Sequence, residues 1–186
     1  ELIICEIRKI IEEELIVPFF QPVFLLTPFK LYGFEALGRP ATNSMLSNPE
    51  VLFKLALQFG FYQDLEVISW KKAVACAAKF LEDKKLFLNC NPYLVEGQKF
   101  SVIKSIFEKS QINVNNVILE ITERSAISDF KVFCEYLNRY REYGFKFAVD
   151  DVGGGYASLE AIVATKPEVV KIDRHIVNQL GKDSFK

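Results

Sequence analysis

Short apolar runs, each ended by a polar residue, constrain this chain more than any other feature. Glu35 follows Gly33-Phe34, Asn89 follows Leu86-Phe87-Leu88, and Glu120 follows Val117-Ile118-Leu119. Asp150, with Asp151 next to it, follows Phe147-Ala148-Val149, and Lys171 follows Val169-Val170. Such runs read as buried strands. The segments between them carry helical spacing, and strand–helix alternation implies βαβ units around a parallel sheet covered on both faces. In that arrangement the C-terminal strand ends share one face, so the acids, the amide and the ammonium converge. Alternation along each strand groups Glu120 with Ile118, Asp150 with Ala148 and Lys171 with Val169.

The remaining pattern fills in the order of elements. Ile3, Ile4, Ile7, Ile10, Ile11 and Leu15 form a helical stripe that Pro18 is expected to stop. Residues 19–26 and 31–37 read as strands, joined as a hairpin by Thr27-Pro28-Phe29-Lys30. A loop over 40–49 precedes helices at 49–59 and 62–82, and strand 86–90 leads to a helix opened by Pro92 and reaching 109. Strands 117–121, 145–150 and 168–172 then alternate with helices 129–143, 156–164 and 173–180. Two architectures compete, a (β/α) barrel and an open doubly wound sheet. Polar residues at the ends of many different strands favour the barrel over a single switch-point crevice. A full barrel takes about 250 residues, so a chain of 186 residues is expected to lack C-terminal strands.

Clustered carboxylates repel, and burying them uncompensated is expensive. A divalent cation removes both problems. Oxygen donors without His or Cys suit Mg²⁺ or Mn²⁺ better than Zn²⁺. The four cysteines (Cys5, Cys76, Cys90 and Cys134) are scattered without zinc spacing, and the lone His175 has no partner at ligand spacing. They read as reduced thiols of a cytoplasmic protein. A net charge of −1 offers no broad basic field for a nucleic-acid polymer. The longest uncharged stretch, Leu15 to Phe29, carries Pro18, Pro22 and Pro28 and is too short to span a bilayer, so no membrane insertion is expected. The first residue is Glu1 rather than Met, which reads as a piece cut from a longer protein. The reading is one domain over 1–186, with residues 1–16 as an N-terminal helix that links to a preceding domain.

Asp150-Asp151 before Val152-Gly153-Gly154-Gly155-Tyr156 adds a second clue, because adjacent acids at a strand-to-loop corner can face two metals or bridge them. The glycines allow a tight turn and a close ligand approach. Isolated acids have a simpler reading, and Asp129 and Asp173 could be helix N-caps.

Together these motifs resemble the EAL family of cyclic di-GMP phosphodiesterases. Phe34-Glu35-Ala36-Leu37-Gly38-Arg39 is similar to its signature, Gln21-Pro22-Val23 to its preceding strand, and Leu88-Asn89 to its asparagine motif. Glu120-Ile121-Thr122-Glu123, the loop from Asp150 to Leu159 and Lys171-Ile172-Asp173 match in order and spacing, over about Pro18 to Val177. The resemblance implies a TIM-type barrel that hydrolyses cyclic di-GMP to linear pGpG with two Mg²⁺ or Mn²⁺ ions. It assigns Glu35, Asn89, Glu120 and Asp150 to one metal, and Asp151 to the second with Asp150 bridging. Lys171 would orient the attacking water or stabilise phosphate charge, and Glu123 would hold the Asp150–Tyr156 loop. Gln21, Arg39, the backbone around Leu37 and Asp173 would contact the dinucleotide. Val152 and Gly154 depart from the family's Phe and Thr or Ser, which implies a more mobile loop. A glutamate-bearing strand and a later glutamine of the family's site are absent from these residues. The resemblance further implies a homodimer attached to a sensor or diguanylate cyclase domain. Two other readings stand beside the enzyme: a catalytically inactive receptor that binds cyclic di-GMP, and a barrel scaffold used only for protein contacts.

Overall fold

The computed structural model describes residues 1–92, 94, 99–122, 130–153 and 158–179. Strands β1 (Ile16–Leu26) and β2 (Phe29–Pro40) form an antiparallel hairpin, with a cis Thr27–Pro28 bond at its turn. Strands β3 (Lys85–Cys90), β4 (Val117–Thr122), β5 (Lys146–Val152) and β6 (Val169–Ile172) then add one after another, each parallel to its predecessor. The strand order follows the chain order from β1 to β6. It never reverses among the described residues, which show no switch point of the doubly wound kind. The sheet is part of a barrel wall.

Helix α1 (Leu2–Glu12) buries Ile7 and Ile10, as the stripe predicts. It ends earlier than Pro18. Glu14 takes a left-handed conformation (φ 50°), and the Leu15 N–H closes back onto the Ile10 carbonyl. Pro18 lies inside β1, an edge strand among the described residues, where a missing N–H is tolerated. Helix α2 (Pro49–Gln58) has proline at its start and Asn48 as cap, whose Oδ1 accepts from the Glu50 N–H at 2.9 Å. Helix α3 (Tyr62–Ala77) ends short of the expected residue 82. Helices α4 (Phe100–Ser110), α5 (Phe130–Tyr143), α6 (Ser158–Thr165) and α7 (Arg174–Gln179) complete the alternation. The expected start of α4 at Pro92 falls partly outside the described residues. No described helix is long and apolar enough to cross a membrane.

The two faces of the sheet differ. On the outer face Ala36, Leu86, Leu88, Val117, Leu119 and Phe147 pack under Trp70, Val74, Ile103, Phe107, Phe133 and Leu137 of the helices. Phenylalanines and tyrosines fill this layer edge to face, as in Phe107–Phe145 at 5.0 Å and Phe100–Tyr140 at 4.8 Å between centroids. On the inner face Phe87, Ile118 and Ala148 pack with Val23, Tyr32 and Val169. Tyr32 reaches this layer through a bulge: Val23 pairs with Gly33 and Phe24 with Leu31, which leaves Tyr32 as the extra residue. Gly33 sits where an added Cβ would lie 2.3 Å from the Lys85 carbonyl oxygen, so only glycine allows β2 and β3 this close together.

Candidate active site

Above the inner apolar layer, the polar strand ends meet. Lys171 Nζ lies 2.8 Å from Glu120 Oε1, 3.1 Å from Glu35 Oε2 and 3.2 Å from Asp150 Oδ2. The face assignments read from alternation hold, since Ile118, Ala148 and Val169 form the floor directly beneath. Asn89 is exposed and pairs in register with Glu120. Gln21 pairs in register with Glu35, which sets it at the rim of the same face. Arg39 and Leu37 stand further along β2, and Arg39 Nη1 donates to the Gly38 carbonyl at 3.2 Å.

Glu120 is the most deeply buried of the three carboxylates. Its side chain is 0 % exposed, and its Oε2 has no hydrogen-bond partner among the described residues. The Oε1 contact with Lys171 is an ion pair in geometry rather than a directed hydrogen bond. Burial, aided by repulsion from Glu35 and Asp150 and opposed by Lys171, pushes the carboxyl from 4.5 up to about 8. Burial pulls the Lys171 ammonium down, yet Glu120, Glu35 and Asp150 outweigh it and hold the group above its ordinary value.

The end of β5 departs from regular strand. Its pairing with β6 slips between Val149 and Val152, and Asp151 adopts φ 56°, a left-handed conformation that Asp tolerates better than most residues. The slip breaks strict alternation at the two adjacent acids, the position expected to serve two ions. The Asp150 carboxylate accepts from the Asp151 N–H at 2.9 Å. Asp173 accepts from the His175 N–H at 2.6 Å and so caps α7, as the simpler reading has it. His175 is exposed on that helix. Glu123, Gly154, Gly155 and Tyr156 lie outside the described residues.

Sequence reasoning missed Glu66 and Trp70. Both are buried on α3, Glu66 accepting from the Asn91 N–H and Trp70 donating to the Asn89 carbonyl. An acid one turn from a tryptophan on a buried helical face was the available signal. Burial pushes the Glu66 carboxyl well above the usual range, against the lowering effect of its Asn91 bond.

The donor set suits a hard divalent cation, since it offers carboxylate and amide oxygens with one buried oxygen unpartnered. Among the described residues no three acidic side chains converge closely enough to ligate one ion as they stand. The Lys171 ammonium fills the middle of the set instead.

The sequence profile of the EAL domain family matches residues 4–185. The chain belongs to the EAL domain family. This EAL domain is 26 % identical over 156 residues to the cyclic di-GMP phosphodiesterase PdeA of Borreliella burgdorferi, matching 82 % of this chain and 22 % of that protein. It is 27 % identical to the probable cyclic di-GMP phosphodiesterase PdeB of Escherichia coli, over 94 % of this chain and 34 % of PdeB. The chain therefore spans between about a fifth and a third of these relatives' lengths. Among solved structures, BlrP1 of Klebsiella pneumoniae in its calcium and cyclic di-GMP complex superposes with a TM-score of 0.79 at 24 % identity, over 89 % of this chain and 42 % of that one. The PaMucR phosphodiesterase in complex with cyclic di-GMP gives 0.83 at 22 %, over 99 % of this chain and 77 % of that one. These likenesses establish the fold as the TIM-like barrel of EAL domains, of which the six strands form a part.

Proposed function

We propose that this EAL domain hydrolyses cyclic di-GMP to linear pGpG with the help of divalent cations. The observation that carries the reading is the meeting of Glu35, Glu120 and Asp150 at the strand ends, with a buried Glu120 oxygen left unpartnered. The substrate is taken from the relatives named as cyclic di-GMP phosphodiesterases.

In this reading Glu35, Asn89, Glu120 and Asp150 would hold one Mg²⁺ or Mn²⁺ ion, and Asp151 together with Asp150 would hold a second. Such ions would supply Lewis acidity that makes water a better nucleophile and would offset negative charge on the phosphoryl oxygens. Lys171, released from its three carboxylates, would donate from Nζ to a phosphoryl oxygen or to the attacking water, which enters opposite the departing 3′ oxygen. Arg39 offers a planar fork to phosphate or to a guanine edge. Gln21, Asp173 and the backbone around Leu37 hold the rest of the dinucleotide, and Glu123 steadies the loop after β5. The domain works in the cytoplasm as a homodimer joined to a sensor or cyclase domain.

The test is incubation of the protein with cyclic di-GMP and Mn²⁺ or Mg²⁺, followed by chromatography of the nucleotides. Formation of pGpG that Glu35→Ala abolishes is the expected result, and intact dinucleotide refutes hydrolysis. A second reading, a receptor that binds the dinucleotide without turnover, draws on Lys171 filling the centre of the acidic set. It requires dinucleotide binding in the presence of a chelator, with no product formed when metal is restored.

A further inference from the structure

Helix α3 touches the metal-binding strand end without supplying a ligand. Trp70 and Glu66 stand one turn apart on it and are only 2 % and 3 % exposed. The Trp70 Nε1–H donates to the Asn89 carbonyl at 2.9 Å, and Glu66 Oε1 accepts from the Asn91 N–H at 2.8 Å. Both bonds lie at the point where one side of β3 loses its neighbour. The β2–β3 ladder ends at Ala36 and Leu88, while the β3–β4 ladder runs on through Asn89–Glu120 and Cys90–Ile121. The two α3 side chains therefore grip the backbone on either side of Cys90 where β2 no longer does. Asn89 is exposed, so the aim of its amide is set by the backbone that carries it rather than by packing around it.

Stability alone argues against this choice of residues. Burying a carboxyl to accept one N–H is costly, and Glu66 Oε2 has no hydrogen-bond partner among the described residues. The arrangement does provide two fixed directional contacts, from one rigid helix, on the strand end that carries a ligand. Outer contacts of this kind orient metal ligands.

We propose that Trp70 and Glu66 are positioning residues that fix the end of β3, so that Asn89 presents its amide oxygen to a divalent cation beside Glu120. The inference rests on the metal reading given above. It makes α3, a helix with no residue in the site, part of the metal-binding apparatus.

The experiment is a Mn²⁺ titration of the intact protein, with free Mn²⁺ followed by electron paramagnetic resonance and the melting temperature of each metal-free variant recorded alongside. Trp70→Phe removes the indole donor, and Glu66→Leu removes the acceptor. Each is expected to raise the Mn²⁺ Kd about tenfold or more. Glu66→Gln keeps an acceptor in place and is expected to keep the wild-type affinity. In an Asn89→Ala background Trp70→Phe is expected to add nothing, because it acts through the ligand already lost. Unchanged Kd with only a lowered melting temperature overturns the proposal. So does a loss that adds in full to that of Asn89→Ala. Should Trp70→Phe fail to fold, the Glu66→Leu and Glu66→Gln pair decides by the same criterion. A wild-type protein that binds no Mn²⁺ overturns the metal reading itself, whereas variants that bind as well as a competent wild type overturn this inference alone.

Discussion

Replacing Lys171 by methionine removes the one cation that, among the described residues, lies against the three carboxylates of the site. Its Nζ lies within 3.2 Å of Glu35, Glu120 and Asp150, and the Glu120 side chain is fully buried. At an effective dielectric constant of about 20, one such contact near 3 Å is worth about 5 kcal/mol of attraction before desolvation is counted. Removing one partner of a buried charge set costs about 3–5 kcal/mol net. For a chain of this size, that lowers the melting temperature by roughly 6 to 20 °C. The loss should grow with pH, and the sign follows from Glu120. Its carboxyl is raised in the folded protein from 4.5 to about 8, so the folded state binds more protons than the unfolded one between those values. Stability contributed by this group therefore declines as pH rises through that window. Without Lys171 the carboxyl rises further, and the decline extends to higher pH. Thermal unfolding by circular dichroism, in chelator, at about pH 5 and about pH 9 checks this. The gap between wild type and Lys171→Met should widen at the higher pH, and excess Mn²⁺ should narrow it. A gap independent of pH, or a variant more stable than wild type at high pH, would refute the charge argument.

Two further changes probe the neighbouring turns. Asp173→Ala removes the cap of α7 and should cost about 1 kcal/mol in a urea titration; an increase in KM for cyclic di-GMP without that loss would instead make Asp173 a substrate contact. Gly153→Ala places a side chain at φ 96°, where its Cβ would lie 2.0 Å from Ile176 Cδ1. The isoleucine tip can turn away, so the backbone conformation dominates and the expected cost is about 1–2 kcal/mol by the same titration.

The strands were legible because their apolar runs are short, punctuated and ended by a polar residue. Alternation then placed Ile118 with Glu120 and Ala148 with Asp150 without any knowledge of neighbouring strands. Pro18 predicts the end of α1 too late, because proline is tolerated inside the edge strand that follows. Glu14 ends the helix by its left-handed backbone instead, and nothing in its side chain advertises this. Two bulges were also out of reach. Tyr32 is squeezed out of the ladder by pairing across the hairpin, and the slip before Val152 depends on β6, far along the chain. Sequence named Lys171 as a site residue, but which charges it meets is a property of the closed sheet rather than of any one segment. Glu66 and Trp70 escaped for a related reason. Their partners are backbone groups of another element, which leave no trace in residue type.

Because each strand lies against the one before it, the sheet can grow in the order in which the ribosome delivers it. The acidic set cannot be completed that way. Glu35 and Lys171 are 136 residues apart, an interval of about 7 to 27 s at about 5–20 residues per second. During that time Glu35, Glu120 and Asp150 are delivered without the ammonium that joins them in the finished sheet. Arrival of the last strand supplies that ammonium, and ties the first hairpin to β6 in the same event.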